Sequence, residues 1–211
     1  MSKFRTVVDV QKYKYEITHQ TPILMLGSCF TENIGNKLID LKFSVNLNPF
    51  GIIFNPISIL NSLKRIIAGN LFSKNELFFF NQTWHSFMHH SKYSSANEQS
   101  CLENINSNLL AASNHLLKSD YLILTFGTAW VFEHKADNIV VSNCHKIPAS
   151  HFNRRILSVT EIVESYKLIL EELKARNPNL KIIFTLSPVR HLKDGAEGNQ
   201  ISKSLQLPRS S

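Results

Sequence analysis

The sequence predicts an α/β fold, with a central parallel sheet covered by helices on both faces in three α/β/α layers. Three observations lead there. Residues 23–26 (Ile-Leu-Met-Leu), 121–126 and 181–186 are short runs dominated by apolar and β-branched residues, as expected of parallel strands buried on both faces. Between them lie stretches whose apolar residues recur at helical spacing. The runs close on Gly27, Gly127 and Ser187-Pro188, residues that punctuate strand ends. Alternation of buried strands with helices builds a parallel sheet rather than a sandwich or bundle.

The elements follow in order. After the first strand, 31–41 places Ile34, Leu38 and Leu41 on one helical face, and 43–47 reads as a second short strand. Residues 57–68 form a helix with Ile59, Leu60, Leu63, Ile66 and Ile67 toward the core, and 98–117 form a third helix. Past the strand at 121–126, segments 130–133 and 139–142 flank polar residues and read as a hairpin extension. Residues 158–176 form a long helix opened by a Ser158/Glu161 capping box and broken by Asn177-Pro178. The last strand is 181–186. Beyond residue 193 the apolar content falls, and the stretch reads as a ragged end of a single domain spanning 1–211.

Composition narrows the function classes. The chain has 211 residues, enough for one sizeable core, with 43% hydrophobic and 18% charged residues. The net charge is +7, but Lys and Arg never run beyond pairs (Lys64-Arg65, Arg154-Arg155) and no nucleic-acid motif occurs, so no nucleic-acid partner is expected. No stretch is apolar enough for a membrane span, and the first 21 residues lack the apolar region of a signal peptide. Three cysteines, Cys29, Cys101 and Cys144, fit neither a disulfide framework nor a zinc site. The expectation is a cytoplasmic chain with reduced thiols, no cofactor and no metal.

In a doubly wound sheet, ligands sit beyond the carboxyl ends of the strands. Three segments fall there: Gly27-Ser28-Cys29-Phe30, Gly127-Thr128-Ala129-Trp130 and residues 187–191. Ser28 sits where a strand turns into a helix, close to free N–H groups and the positive end of the helix dipole. Such a serine is either a nucleophile beside an oxyanion site or simply an N-cap. Cys29 is a rival nucleophile at the same helix opening. Residues 48–56 carry two Asn-Pro dipeptides, Asn48-Pro49 and Asn55-Pro56, around Gly51. They read as a rigid oxyanion loop or as a plain turn into a helix. Trp84, His85, His89 and His90 read as an aromatic cleft wall; His85 and His89 have i, i+4 spacing but lack the glutamate and third ligand of a zinc site. Asn143 and His145 read as cleft lining or a surface turn. Arg190 can hold an anionic group, and His191 can act as a base.

Together these segments resemble the GSCFA domain family, a branch of the SGNH/GDSL hydrolases. The tetrad is Gly27-Ser28-Cys29-Phe30, followed by Thr31 where the family usually has alanine. Further matches are residues 48–56, Phe126-Gly127-Thr128-Ala129-Trp130, Asn143-Cys144-His145-Lys146, residues 187–191 and Ser202-Lys203, and the resemblance covers residues 7–203. It implies a flavodoxin-like fold and hydrolysis or transfer of a small acyl group, with an acetylated carbohydrate among the candidate substrates. Ser28 is then the nucleophile, with Ser28, Gly51 and Gly127 as oxyanion donors; the base is a histidine of a segment downstream of residue 211, with His191 and His145 as the catalytic candidates within the chain. Asn48, Asn55, Trp84, His85, Thr128, Asn143 and Arg190 are the substrate-binding residues. The sequence departs from the superfamily pattern twice. Thr128 stands where an asparagine follows the third-block glycine, and no Asp-x-x-His segment occurs. The resemblance therefore implies a chain shortened at its C-terminal side. A cleft without its catalytic base, serving as a non-catalytic binding module, is the alternative reading.

Overall fold

The three apolar runs are the inner strands of the protein. In a computed structural model, residues 14–189 and 195–206 are described. The elements are β1 (Ile23–Gly27), α1 (Cys29–Asp40), β2 (Val45–Leu47), α2 (Pro56–Ala68), β3 (Phe78–Phe80), β4 (Thr83–His85), α3 (Glu98–Leu116), β5 (Tyr121–Phe126), β6 (Trp130–His134), β7 (Ile139–Val141), β8 (Phe152–Ile156), α4 (Val159–Arg176), β9 (Lys181–Leu186) and α5 (Gly195–Gln206). Four strands form a parallel sheet in the order β2-β1-β5-β9.

Strand alternation divides the core between two layers. Leu24, Leu26, Leu122 and Leu124 face one side and join α2, α3 and α4 in the main cluster. Ile23, Met25 and Tyr121 face the other and pack with Leu38 of α1 and with Val45 and Leu47 of β2. The fold is therefore α/β in three layers. Helix ends follow ordinary capping chemistry. Asn55 caps α2, with Pro56 at its first position, and Gly69 closes it with φ +66. Asn97 caps α3.

Several elements depart from the sequence reading, each for a local reason. The second strand is only three residues long, because the Phe43 N–H still bonds the Leu38 carbonyl at the close of α1. The capping box on α4 is half formed. Ser158 accepts the Glu161 N–H, but the Glu161 carboxylate turns to Arg155, at 2.7 and 2.9 Å. The expected hairpin exists as β6–β7, and β8 extends it to three antiparallel strands. A two-stranded hairpin, β3–β4, precedes α3. Residues 195–206, expected as part of a ragged end, form α5. That helix is anchored by polar contacts as well as by Leu205, which packs against the main core. Lys203 Nζ donates to the carbonyls of Gly127 (2.5 Å) and Ser187 (2.6 Å), and Ser202 Oγ accepts the Ala129 N–H (2.6 Å).

The turn out of β1 tolerates no side chain at Gly27. Its φ is +152, and a Cβ there would strike the Thr125 carbonyl oxygen of the neighbouring strand. Gly27→Ala is expected to lower stability by about 3 kcal/mol or more, combining backbone strain with a clash against backbone. Urea unfolding of the two proteins side by side measures it; an unchanged midpoint would show that the turn can relax.

Candidate active site

The site is assembled where β1 becomes α1. The Gly27 N–H donates to Asn48 Oδ1 (2.9 Å), and its carbonyl accepts the Ile53 N–H (2.9 Å). The loop with the two Asn-Pro pairs therefore grips the turn from both sides. Ser28 follows as the N-cap of α1, its Oγ accepting the Phe30 N–H at 3.3 Å, and the residue is almost fully buried. Glu32, in the first turn of α1, complements the helix dipole and accepts the Asn48 amide at 2.7 Å.

The loop itself is held at nearly every residue. The Tyr93 hydroxyl donates to the Pro49 carbonyl (2.7 Å), and burial pushes that phenol up to about 12. The Phe50 carbonyl accepts the His90 N–H (2.9 Å), the Phe54 carbonyl accepts the N–H groups of Gly127 (2.7 Å) and Thr128 (3.1 Å), and the Pro56 carbonyl accepts the Tyr166 hydroxyl (2.8 Å). The Gly51 N–H is turned back onto the Asn48 carbonyl at 2.7 Å. Neither Gly51 nor Gly127 thus has a free N–H, which corrects the expectation that both donate to an oxyanion. The donors left at the turn are the amides of the α1 opening other than that of Phe30, which caps onto Ser28 Oγ. Ile52 N–H, one residue on from Gly51, has no acceptor among the described residues.

A cavity of about 590 Å³ opens beside this turn. The loop contributes Ile52, Phe54 and Asn55, the end of β5 contributes Thr128, and the β6–β8 sheet covers it with Trp130, Phe132, Val141 and Arg154. His90, Ser142, Asn143 and Cys144 complete the wall. Ser28 adjoins this wall without lining it. A Cβ on Gly127 would lie 3.2 Å from Ser28 Cβ and 3.1 Å from Phe54 Cδ1. Arg154 stacks on Trp130 with its guanidinium carbon 3.8 Å from the ring centre. Among the described residues, no group of three His, Cys, Asp or Glu side chains is placed to hold a metal ion, and no helix is long and apolar enough to cross a membrane.

With this geometry in view, the comparisons with known proteins decide the family. The GSCFA family model matches residues 22–208. The chain belongs to the GSCFA family. No curated protein and no solved structure matches it. The GSCFA tetrad is the β1–α1 turn, and the other motif segments (residues 48–56, 126–130 and 143–146) surround the same strand ends, while Ser202 and Lys203 latch α5 across them.

Of the residues expected to bind substrate, Asn55, Thr128 and Asn143 line the cavity. Each also has a structural bond. Asn55 accepts the Ser58 N–H, Thr128 meets Ser202 at 3.2 Å, and Asn143 accepts the His145 N–H. Asn48 does not face the cavity. It is completely buried and spent on Gly27 and Glu32. Trp84 packs against Phe79 and the main core. The His85 ring is fully occupied, its Nε2 meeting the Thr83 hydroxyl (2.8 Å) and the Phe80 carbonyl (3.0 Å) and its Nδ1 the Ser94 hydroxyl (2.6 Å). His145 is not a base at this cavity. It is buried among Phe78 and His85, and its Nε2 donates to the Ser86 carbonyl at 2.9 Å. Arg190 and His191 lie outside the described residues. Of residues 84–90, read together as a cleft wall, His90 reaches the cavity, while Trp84 and His85, the two expected to bind substrate, do not. Three histidines in six residues carry no spacing signal that singles it out.

The buried histidines carry a pH consequence. Burial, with the nearby His145 and Arg65, lowers His89 to about 3. Burial, offset in part by the Ser86 carbonyl and reinforced by His85 and His90, lowers His145 to about 4. Below the ordinary histidine value of 6.5, the unfolded chain binds protons that the folded protein refuses, so stability falls with pH from about 6.5 toward 4 and 3. Urea midpoints between pH 7.5 and 4 are expected to fall along that curve. His145→Asn, which keeps the left-handed backbone at this position (φ +49) and removes one ring, is expected to flatten it. A flat profile in the unsubstituted protein would contradict the assignment.

Proposed function

We propose that this GSCFA protein is a serine ester hydrolase or O-acyltransferase of the SGNH type, acting on a small acyl ester, with acetylated carbohydrate as the favoured substrate class. One observation carries the reading. The Ser28 hydroxyl stands at the opening of a twelve-residue helix, against the wall of a polar and aromatic cavity, in a turn held by its neighbours. Helix-opening amides stabilise negative charge developing on a carbonyl oxygen, and that is the charge acyl transfer creates.

In this mechanism Ser28 Oγ attacks the acyl carbon while its proton passes to a base. The tetrahedral oxyanion faces the amides of the helix opening and of Ile52. The intermediate collapses to the acyl-enzyme as the alcohol leaves with the proton, and water or an acceptor alcohol then attacks the acyl carbon and restores Ser28. His191, just past β9, is proposed as the base, and Arg190 as a clamp for an anionic group. Aromatic faces at Trp130 and Phe132, with amides at Asn55 and Asn143, suit a sugar ring and its hydroxyls. The reading places the protein in the cytoplasm.

A second reading, a binding module without turnover, draws on one fact. Among the described residues no histidine bonds Ser28 Oγ, which instead accepts from Phe30. Hydrolysis of p-nitrophenyl acetate separates the two. Ser28→Ala is expected to lower kcat/KM by about 10³-fold or more, while Cys29→Ser leaves it unchanged. Equal rates in Ser28→Ala and the unsubstituted protein would remove the nucleophile assignment. Selective loss in Cys29→Ser would transfer it to the thiol.

A further inference from the structure

We infer that His90 is the side-chain hydrogen-bond donor of the cavity, presenting a neutral imidazole Nε2–H to the acyl oxygen of a bound ester. The inference rests on the ester-substrate reading but assigns a residue and a protonation state which that reading leaves open. Three contacts fix the residue. Its backbone N–H is held by the Phe50 carbonyl at 2.9 Å. Its Cβ and Cγ back onto Gly51, where any side chain would collide with them. Its Nδ1 accepts the Lys92 N–H at 3.2 Å, capping a short 3₁₀ turn. His90 lines the cavity, and no described protein atom bonds its Nε2.

The tautomer follows from those contacts. A ring nitrogen that accepts from an amide carries no proton, so a neutral His90 carries its proton on Nε2. The cation would aim an N–H at the N–H of Lys92 and forfeit that bond. The surroundings point the same way. Burial lowers the affinity of this ring for a second proton, and the charge of Lys92 adds to it against the opposing carboxylate of Glu32; His145 is the other titratable group coupled to it. Nε2–H cannot take the Ser28 proton, so His90 is a donor and not the general base. The N–H of Gly51, on which His90 packs, is committed to its own turn and supplies no donor to the cavity.

The two side chains that imitate halves of histidine test this. His90→Asn keeps an acceptor at the Nδ1 position and so keeps the cap, but does not reach into the cavity. His90→Gln carries an amide donor at the reach of Nε2. Long-range ¹H–¹⁵N spectra at pH 7 are expected to show His90 as the Nε2–H tautomer; an Nδ1–H tautomer or a cation overturns the inference. Affinity is read without turnover, by titrating N-acetylglucosamine, an amide analogue of an acetyl sugar ester, into proteins that all carry Ser28→Ala. His90→Asn is expected to bind about tenfold more weakly at unchanged thermal stability, and His90→Gln to recover most of that loss. Equal affinity in His90→Asn, or equal loss in both variants, overturns the inference, as does failure of the His90-containing protein to bind the probe. Loss of the Ser28 nucleophile assignment in the kinetic test would leave the affinity difference in place, so the two failures are distinct.

Discussion

A single buried amide holds the architecture of this site. Asn48 takes the N–H that Gly27 offers at the end of β1 and gives its own N–H to Glu32 in the first turn of α1, while its backbone N–H bonds the Met25 carbonyl. Strand, helix and loop thus meet on one side chain with no exposure to solvent. Unmaking such a bond leaves a buried donor unsatisfied, which costs about 1–3 kcal/mol, more where a charge is involved. The geometry that points Ser28 at the α1 opening is therefore set by packing and hydrogen bonding that precede any ligand. Asn48 itself holds φ +44, a conformation asparagine tolerates better than most residues.

Polar groups at this end of the sheet divide into two kinds. Asn48, His85, His89 and His145 are turned inward, bonded to backbone or stacked in an aromatic cluster, and serve the fold. Asn55, Thr128, Asn143 and His90 are bonded on one side and line the cavity on the other. Residues of the second kind carry recognition at little entropic cost, because the bonds that hold them are already formed.

That division decides what was legible in the sequence. The inner strands could be read because burial on both faces imposes continuous apolar runs, and the β1–α1 turn because Gly27 ends the apolar run and Ser28 is a favoured N-cap. Asn48 and His85 were misplaced because an amide or imidazole near a strand end looks the same in sequence whether it faces a ligand or a backbone group. β8, Phe-Asn-Arg-Arg-Ile, escaped notice because its middle is polar, with Arg154 on the cavity roof and Arg155 paired to Glu133 and Glu161. α5 escaped because Ser202 and Lys203 dock it through strand-end carbonyls and amides, a signal absent from hydrophobic periodicity. Gly51 was credited with a donor role its own turn consumes, which only coordinates reveal.

The most direct measurement of the central claim is covalent. A fluorophosphonate reacts with a serine only where the hydroxyl is activated and the phosphoryl oxygen finds donors. Peptide mass spectrometry of the treated protein is predicted to find one phosphonyl group, on Ser28, with labelling abolished when the α1 opening is disrupted by Asn48→Ala. Absence of any adduct, or a label on Cys29 or a surface residue, would contradict the account.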